Sequence, residues 1–448
     1  AVVGFFAAMR LGAVWVGINR ILPLADKQHI LGHSETRLIL ADADTAAELQ
    51  AVRDSLPMLE HIIAMDDHPG WVEAMASDLP VAPGYREIDP FAPAAIMYTS
   101  GTTGVPKGCV HSQHNMVTLA AAASAHGLMN PLGRRGSVLP VTITNVMILG
   151  AVMAYWNARP FILGQTTKIE PMIEWLARER IEQCAFVPTM IYDILKADVD
   201  LPPGLAAGCG GAPVSQAIRA AFLARHGQHL QPTYGLTEAP AVVATPQDLA
   251  APEGASGFEF PHLKISIRSA DGALLPPGEV GEVCFSAVES GAWAHVYTPP
   301  LGYWRDAAKT AALLAGDVVH SGDVGSLDAN GWLTIADRSS ELILRGGSNV
   351  YPAEIEKVLH QAASVADCAV GGQPDGRLGM RTVAVIQPAD PDAETGAIET
   401  ELRQLCLDHL SRYKVPDEWC FVDVFPRNAM GKIVKPQVRE MLLNRVPA

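Results

Sequence analysis

Residues 98–108 read YTSGTTGVPKG and are the most informative stretch of this 448-residue chain. Glycine lets a backbone take positive φ and approach an anion closely, while hydroxyl and N–H groups donate hydrogen bonds to phosphate oxygens. Lys107 adds a mobile positive charge for the same oxygens. The stretch is not a Walker A loop, because Lys107 precedes Gly108 instead of Ser or Thr. An exposed turn is the alternative, but the density of Gly, Ser and Thr favours a phosphate-binding loop.

The composition restricts the class of protein. The chain has 33 Lys plus Arg against 48 Asp plus Glu, a net charge of −15, with 49% hydrophobic and 18% charged residues. Disorder needs low hydrophobicity and high charge, and nucleic-acid binding needs a basic face, so neither is expected. The seven cysteines are scattered without a CxxC pair, which predicts reduced, structural thiols and a cytoplasmic protein.

Two apolar runs need an interpretation. Residues 1–9 have no basic region before them, so they do not predict a signal peptide. We expect them to form a helix within a domain whose beginning is absent. Residues 141–156 include Thr142, Thr144 and Asn145 and fall short of the roughly 20 residues of a membrane span, which predicts a buried core segment.

The order of predicted elements indicates an α/β fold. Strands are predicted at residues 37–41 (short and buried), 94–98 and 185–188, with a helix at 169–180, an alternation typical of a layered domain with a largely parallel sheet. After about residue 251 the pattern becomes β-rich, with strands around Asp271-Gly272 and the hairpin dipeptide Asn330-Gly331.

A small α+β unit is predicted from about Ser339. A helix opens at Pro352, followed by a strand at 381–387, a helix at 400–410, a strand at 419–425 and a terminal helix at 436–445. We therefore predict a large N-terminal domain over residues 1–338, whose β-rich part spans about 251–338, and a small mobile C-terminal domain over 339–448.

Read as a whole, the phosphate loop resembles the signature of the adenylate-forming (AMP-binding) superfamily. Four further motifs of that family follow in the family's order: GGAP at 210–213, YGLTE at 234–238, SGDVG at 321–325 and RNAMGKIVK at 427–435. Each of these short motifs alone is more often an ordinary turn or solvated surface. Together they cover essentially the whole chain and place it in the acyl/aryl-CoA synthetase (acid:CoA ligase) branch.

The resemblance implies specific roles. Tyr234 would stack on adenine, Thr237 would bond the α-phosphate, Glu238 would hold Mg²⁺, Asp323 would bond the ribose, and Lys432 would be catalytic together with Thr237 and Glu238. The implied nucleotide-binding residues are Thr99, Ser100, Gly101, Thr102, Thr103, Gly104, Lys107, Gly211, Ala212, Pro213, Tyr234, Gly235, Asp323, Ile335 and Arg338.

The resemblance also implies which residues would bind coenzyme A and the substrate acid. The CoA arm would pass a Gly-rich strand at residues 345–351; the implied CoA residues are Gly346, Gly347, Tyr351, Tyr413 and Lys414. The implied acyl pocket is lined by Asn145, Met147, Gly210, Ala239 and Pro240. This lining is small and apolar, which favours an aryl, alicyclic or medium aliphatic monocarboxylate over a dicarboxylate, since the latter needs a paired cation.

Two positions depart from the family pattern. The hinge is usually Asp or Lys and is Ser340 here, a small residue that can still absorb a change in φ and ψ. The segment in which a His usually borders the acyl pocket reads PVTITNVMILG at 140–150. Alignment places either Ile143 or Asn145 at the His position, and we prefer Asn145 because it keeps a hydrogen-bonding side chain.

The function implied is an ATP-dependent carboxylic acid:CoA ligase that forms an acyl-AMP, releases pyrophosphate and transfers the acyl group to CoA. Its cofactors would be ATP, Mg²⁺ and coenzyme A; a homodimer is one option, and no nucleic-acid partner or transmembrane segment is expected. The alternatives are an adenylation enzyme that loads a carrier-protein thiol and a degenerate, non-catalytic nucleotide- or acyl-binding relative. An amino-acid adenylation domain is disfavoured because no Asp lies between Gly136 and Tyr155 to pair with a substrate amine.

Overall fold

The computed structural model describes residues 1–66, 87–99, 106–125, 133–211, 214, 216–240, 242–245, 249–252, 254–338, 341, 343–345, 348–375, 377–427 and 433–443. Its helices are α1 (Val2–Leu11), α2 (Leu24–His33), α3 (Ala43–Ala51), α4 (Gln113–Ala125), α5 (144–156), α6 (Ile169–Arg178), α7 (Pro188–Lys196), α8 (Gln216–His226), α9 (Ala307–Leu313), α10 (Pro352–Leu359), α11 (Thr395–His409) and α12 (Lys435–Leu443). Helix α5 is π-helical over Met147–Val152.

The strands, in chain order, are β1 (Trp15–Val16), β2 (Leu38–Ala41), β3 (His61–Ala64), β4 (Pro93–Thr99), β5 (Lys107–Ser112), β6 (Arg135–Ser137), β7 (Phe161–Leu163), β8 (Gln183–Phe186), β9 (Ala206–Cys209), β10 (Gln231–Tyr234), β11 (Val243–Ala244), β12 (Ala255–Glu259), β13 (Leu263–Arg268), β14 (Gly281–Ala287), β15 (Gly302–Tyr303), β16 (Leu314–Ala315), β17 (Val318–Leu327), β18 (Leu333–Arg338), β19 (Ile343–Arg345), β20 (Ser348–Val350), β21 (Val365–Asp375), β22 (Gly379–Pro388) and β23 (Glu418–Phe421).

One large sheet runs through both the α/β part and the β-rich part that the sequence predicts. Its order is β13-β14-β17-β18-β12-β11-β10-β9-β8-β6-β7, and β16 pairs with β17. Every pairing from β7 through β6, β8 and β9 to β10 is parallel, whereas every pairing from β10 to β13 is antiparallel. The α/β fold class with a β-rich part is therefore confirmed.

Two smaller sheets carry other predicted site segments. The order β1-β4-β5-β15 places the two strands that flank the phosphate loop side by side, and β20-β19-β22-β21, with β23 on β22, forms the sheet of the C-terminal part. Each sheet buries its own apolar side chains: one core gathers around α4 and α5, a second around the parallel strands, a third around the antiparallel strands, and a fourth within residues 343–415. The boundary at 338/339 stays a prediction.

Several sequence predictions need correction. The strand predicted as buried at 37–41 is β2, which lies in a two-stranded sheet with β3, and its Leu38 is 48% exposed. The apolar run at 141–156 is buried through most of α5, but it ends with Tyr155 and Trp156 at 72% and 55% exposure.

Other predicted bounds shift by a few residues. The strand predicted at 185–188 lies at Gln183–Phe186, because Pro188 already opens α7. The helix predicted at 400–410 begins at Thr395, and the strand predicted at 419–425 ends at Phe421. The helix predicted at Pro352 is confirmed, and it buries Ile355, Val358 and Leu359.

All seven cysteines are free and buried, as the sequence predicts. Among the described residues, no helix combines the length and apolar character that crossing a membrane requires.

The Asn330-Gly331 hairpin is confirmed, since it joins the antiparallel strands β17 and β18. Gly331 has φ 88°, and a Cβ there would lie 3.7 Å from Phe258, an ordinary contact distance. The space at this turn therefore tolerates a methyl group, and only the left-handed backbone conformation demands glycine.

We expect Gly331→Ala to lower the free energy of unfolding by about 1–2 kcal/mol through backbone strain alone. Gly396→Ala is the matched control, since Gly396 lies in the first turn of α11 and an added methyl group there would have no neighbour within 4 Å. It should leave stability unchanged or raise it by up to about 1 kcal/mol. Denaturant unfolding measures both, and equal effects of the two substitutions would contradict this reading of the turn.

Candidate active site

The centre of the site is a contact between Lys107, Tyr303 and Glu238. Lys107 begins β5, Tyr303 lies in β15 and pairs with Cys109 of β5, and Glu238 follows β10 by four residues. Lys107 Nζ donates to the Tyr303 hydroxyl oxygen at 2.5 Å and lies 3.2 Å from Glu238 Oε1. The Tyr303 hydroxyl in turn donates to Glu238 Oε1. Two predicted phosphate-site residues are thus bridged by a tyrosine that the sequence analysis did not identify.

Glu238 is a carboxylate held in a protein interior, at 7% exposure. Burial alone acts to raise its pKa, but the charge of Lys107 and the hydrogen bond from Tyr303 outweigh burial, and the pKa of Glu238 lies below its ordinary value. The carboxylate is therefore ionised at neutral pH. A hard, anionic oxygen donor of this kind fits Mg²⁺, which usually takes one or two protein carboxylates together with phosphate oxygens.

A second contact joins the residues predicted for adenine and ribose. Tyr234, at the end of β10, donates from its hydroxyl to Asp323 Oδ2 at 2.6 Å, and Asp323 is buried in β17. In the β17–β18 pairing, Asp323 lies opposite Arg338. Ile335 of β18 and Tyr234 both pack against the core of the antiparallel strands. Four predicted nucleotide residues from three strands therefore lie together.

The phosphate loop itself is described only at its two ends, because residues 100–105 lie outside the described residues. At the first end, the Thr99 hydroxyl oxygen is buried and has no hydrogen-bond partner among the described atoms. Buried polar atoms are normally paired, so this hydroxyl fits a site for an oxygen-rich ligand. Ser100, Gly101, Thr102, Thr103 and Gly104 remain predictions.

Helix α2 holds both ends of this loop. His33 Nδ1 forms a 2.7 Å hydrogen bond with the Tyr98 hydroxyl, and His29 Nε2 lies 3.1 Å from the carbonyl oxygen of Pro106. The two histidines are four residues apart on one face of the helix, and their rings stack. Helix α2 thus contacts the chain on both sides of residues 100–105.

A buried histidine contacts the backbone of the YGLTE motif at residues 234–238. His111 of β5 is fully buried; its Nε2 lies 2.9 Å from the carbonyl oxygen of Thr237, and its Nδ1 lies 2.8 Å from Asn115 Oδ1. Asn115 also donates to the carbonyl oxygen of Thr298. Burial lowers the pKa of His111 despite the opposing effect of its hydrogen bonds. Through its contact with the Thr237 carbonyl oxygen, His111 fixes the backbone immediately before Glu238.

The predicted adenine-side loop follows β9. A Cβ at Gly210 would lie 2.4 Å from Thr233 Oγ1, so glycine allows this loop to approach β10 closely. Gly211 has φ 86°, a conformation that favours glycine. Ala212 and Pro213 lie outside the described residues.

The predicted acyl-pocket residues lie in two places. Met147 is fully buried in the core around α4 and α5, and Asn145 is half-buried in the first turn of α5. Ala239 and Pro240 are buried directly after Glu238. Thr237 and Gly235 are half-buried in the same segment.

The predicted CoA residues that are described lie around α10. Lys414 Nζ donates to both carboxylate oxygens of Glu354 at 2.7 Å, Tyr413 is exposed beside it, and Tyr351 precedes the helix. Gly346, Gly347, the hinge Ser340 and the catalytic candidate Lys432 lie outside the described residues. Three positions after Lys432 in the sequence, Lys435 forms ion pairs with Glu341 at 2.6 Å and with Glu356 at 3.0 Å.

Two residues of the site carried little sequence signal. Tyr303 is 196 residues from Lys107, and it comes from a two-residue strand. His111 lies within a strand whose side chains are nearly all buried, where a histidine is more often structural. For His111, the sequence offered one indication, namely a polar residue within a predominantly buried strand.

The chain is similar to known proteins over nearly its whole length. The family model "AMP-binding enzyme" matches residues 1–289, and "AMP-binding enzyme C-terminal domain" matches residues 354–432. A fatty acid–[acyl-carrier-protein] ligase, ScoC of Streptomyces coeruleorubidus, is 30% identical over 97% of this chain and 83% of its own length. An indoleacetate–CoA ligase of Aromatoleum aromaticum is 29% identical over 98% of this chain and 86% of its own length.

Solved structures share the fold. The anthranilate CoA ligase AuaEII in complex with anthranoyl-AMP superposes with a TM-score of 0.85 at 23% identity, covering 98% of this chain and 84% of that one. The family matches and the named relatives indicate the same family. The chain belongs to the AMP-binding enzyme family, in its acyl-CoA synthetase branch.

Proposed function

We propose that the protein is an ATP-dependent carboxylic acid:CoA ligase that activates a monocarboxylate as its acyl-adenylate and then transfers the acyl group to a thiol. The observation that carries this proposal is the network of Lys107, Tyr303 and Glu238 beside the Tyr234–Asp323 contact. It gathers a cation, a buried carboxylate and an aromatic ring from distant segments of the chain. Those are the groups that a nucleoside triphosphate requires.

The first half-reaction joins two anions, so the site must reduce their repulsion. The substrate carboxylate attacks the α-phosphorus of ATP, an acyl–phosphate bond forms, and the bond to pyrophosphate breaks. Lys107 and the donors at the ends of the phosphate loop stabilise charge on the phosphate oxygens, and Thr237 donates to the α-phosphate. Glu238 would hold Mg²⁺, whose charge offsets that of the triphosphate.

Tyr303 has a distinct part in this proposal. Its hydroxyl accepts from Lys107 and donates to Glu238, so it fixes the separation of one cation and one anion. A fixed arrangement needs no reorganisation when charge develops in the transition state. Tyr303 therefore acts as a positioning residue.

Lys432 supplies the remaining positive charge in this scheme. It would orient the substrate carboxylate against the α-phosphate, which aligns the attack as well as neutralising it. We place it on a small C-terminal domain, residues 339–448, that turns about Ser340 between the two half-reactions. In the second half-reaction, the CoA thiolate attacks the acyl carbon, the thioester bond forms, and the bond from the acyl carbon to the phosphate oxygen breaks, which releases AMP.

The CoA side of the site lies around Lys414 and Tyr413. Lys414 is paired with Glu354, so an incoming phosphate would compete with that carboxylate. The positive charge of Lys414 would then be balanced by an anion both without and with bound CoA. Gly346 and Gly347 would border the pantetheine arm.

The acid is an aryl, alicyclic or medium aliphatic monocarboxylate. The described lining residues Met147, Ala239 and Pro240 are buried and apolar, and none is a cation that could pair with a second carboxylate. Relatives of this chain are named for indoleacetate, feruloyl and long-chain fatty acyl substrates, all monocarboxylates.

A carrier-protein thiol is the second candidate acceptor. It is favoured by the similarity to ScoC, which is named a fatty acid–[acyl-carrier-protein] ligase. The adenylation step is the same for both acceptors, and only the thiol differs.

We expect acid-dependent ATP–pyrophosphate exchange with at least one member of a panel of aryl, alicyclic and C6–C12 aliphatic monocarboxylates. Adding CoA to the productive acid should then give a CoA thioester that mass spectrometry detects. Thioester formation only with an acyl-carrier protein would select the second candidate. No exchange with any acid would overturn the ligase proposal.

Lys432→Ala should slow adenylate formation about 100-fold or more, because it removes a charge that acts in the transition state. Thioester formation from preformed acyl-adenylate should be retained, since this lysine acts only in the first step. Single-turnover assays of each half-reaction measure both rates. Equal loss in the two half-reactions would contradict the assigned role.

Tyr303→Phe should lower kcat/KM of adenylation for ATP roughly 10- to 100-fold, as expected for hydrogen bonds to charged groups worth about 1.5–3 kcal/mol. Tyr297→Phe is the control, because the buried Tyr297 hydroxyl has no partner among the described atoms. The control should retain wild-type kinetics. A Tyr303→Phe enzyme as active as the control would mean that the bridging hydroxyl is dispensable.

A further inference from the structure

A cluster of three metal-ligating side chains lies on the antiparallel part of the large sheet. Glu282 and Cys284 are two residues apart and share one face of β14, and His320 of β17 is the cross-strand partner of Cys284. His320 Nδ1 lies 2.8 Å from Glu282 Oε2 and 3.6 Å from Cys284 Sγ. The three potential ligand atoms all lie within 4.8 Å of one another.

The separation of Cys284 and His320 fits a tetrahedral ion of the zinc class. With Zn–S about 2.3 Å and Zn–N about 2.0–2.1 Å, tetrahedral angles place the sulfur and nitrogen about 3.5–3.6 Å apart. Cys284 Sγ and His320 Nδ1 are 3.6 Å apart. The same geometry needs about 3.4 Å between nitrogen and carboxylate oxygen. Glu282 Oε2, at 2.8 Å from His320 Nδ1, would have to move by about half an ångström, which is a small adjustment for a glutamate.

The cluster is reachable and has suitable charge. The side chains of His320 and Glu282 are 25% and 32% exposed, while Cys284 is buried beneath them. A divalent cation would bind the sulfur as a thiolate and release the thiol proton to solvent, and its two charges would balance the thiolate and the carboxylate.

A further charged side chain lies near the cluster. Arg268 lies opposite Glu282 in the β13–β14 pairing, its Nη1 donates to the carbonyl oxygen of Gly272 at 3.0 Å, and its charge acts on Cys284. One end of the guanidinium is therefore held at the adjoining turn.

We propose that Glu282, Cys284 and His320 form a three-ligand site for a thiophilic divalent cation such as Zn²⁺, with water at the fourth position. Mixed S, N and O ligands suit ions of this class, whereas Mg²⁺ and Ca²⁺ prefer oxygen alone. The site is separate from Glu238, which is the residue proposed for Mg²⁺.

The site is coupled to the nucleotide side through a bulge in β17. Between the pairs Cys284↔His320 and Glu282↔Val324, β17 contains extra residues, among them Gly322 and Asp323. Gly322 N donates to Glu282 Oε1 at 3.2 Å, so the metal-ligating carboxylate also holds the bulge. Movement of Glu282 onto a cation would weaken this hydrogen bond and displace Asp323. This consequence rests on the proposed function, in which Asp323 bonds the ribose.

Co²⁺ is the probe, because its thiolate complexes absorb in the near ultraviolet. The chelator-treated 448-residue protein titrated with CoCl₂ should show a sulfur-to-cobalt charge-transfer band that saturates at one equivalent, and Zn²⁺ should abolish it. Cys284→Ala should lose the band, and His320→Gln should weaken Co²⁺ binding at least about 10-fold. Cys406→Ala is the matched control, since Cys406 is an equally buried thiol in the C-terminal core.

The outcomes are distinguishable. No charge-transfer band for the wild-type protein at excess Co²⁺, or a band that Cys284→Ala retains, would overturn the site. If Cys284→Ala fails to fold, His320→Gln and the wild-type titration still decide. Saturating Zn²⁺ should weaken ATP binding about 5-fold, the loss expected for one hydrogen bond; unchanged ATP affinity would overturn the coupling. The Co²⁺ spectrum does not depend on catalysis, so failure of the ligase proposal would leave this test intact.

Discussion

A buried carboxylate, Glu238, imposes the constraint on which the rest of the site depends. An ionised group at 7% exposure is costly unless a charge and hydrogen bonds compensate for it. Lys107 supplies the charge and Tyr303 the hydrogen bond, and the two come from the paired strands β5 and β15. Pairing those strands is therefore a condition for placing Glu238. Lys107, at the described end of the phosphate loop, takes part in the same contact.

The remaining elements are arranged around this contact. The His111 ring fixes the backbone before Glu238, and α2 fixes both ends of the phosphate loop through His29 and His33. On the other side, the bulge of β17 presents Asp323 to Tyr234. The large sheet thus changes from parallel to antiparallel pairing at β10, the strand whose end leads to Glu238. Ligands of open α/β sheets commonly bind outside the carboxyl ends of the parallel strands, and Glu238 follows the carboxyl end of β10.

The sequence was sufficient for the fold class, the family and the Asn330-Gly331 hairpin, because each depends on local pattern or on motifs in a fixed order. It was insufficient for Tyr303 and His111, since a cross-strand contact over 196 residues leaves no local periodicity. The burial of residues 37–41 was mispredicted because apolar composition does not reveal that β2 belongs to a two-stranded sheet. The prediction that Tyr155 is buried failed for the same reason, because an apolar helix end resembles a core segment in sequence whether or not another element covers it.

The most direct measurement of the central contact is a double-mutant cycle on kcat/KM of adenylation for ATP, with Lys107→Met, Glu238→Gln and the combined variant. If the two groups act as one unit, the losses should be non-additive, with a coupling energy of about 1–3 kcal/mol. Losses that add to within about 0.5 kcal/mol would show that Lys107 and Glu238 act independently, and would contradict the assignment of this contact as the centre of the active site.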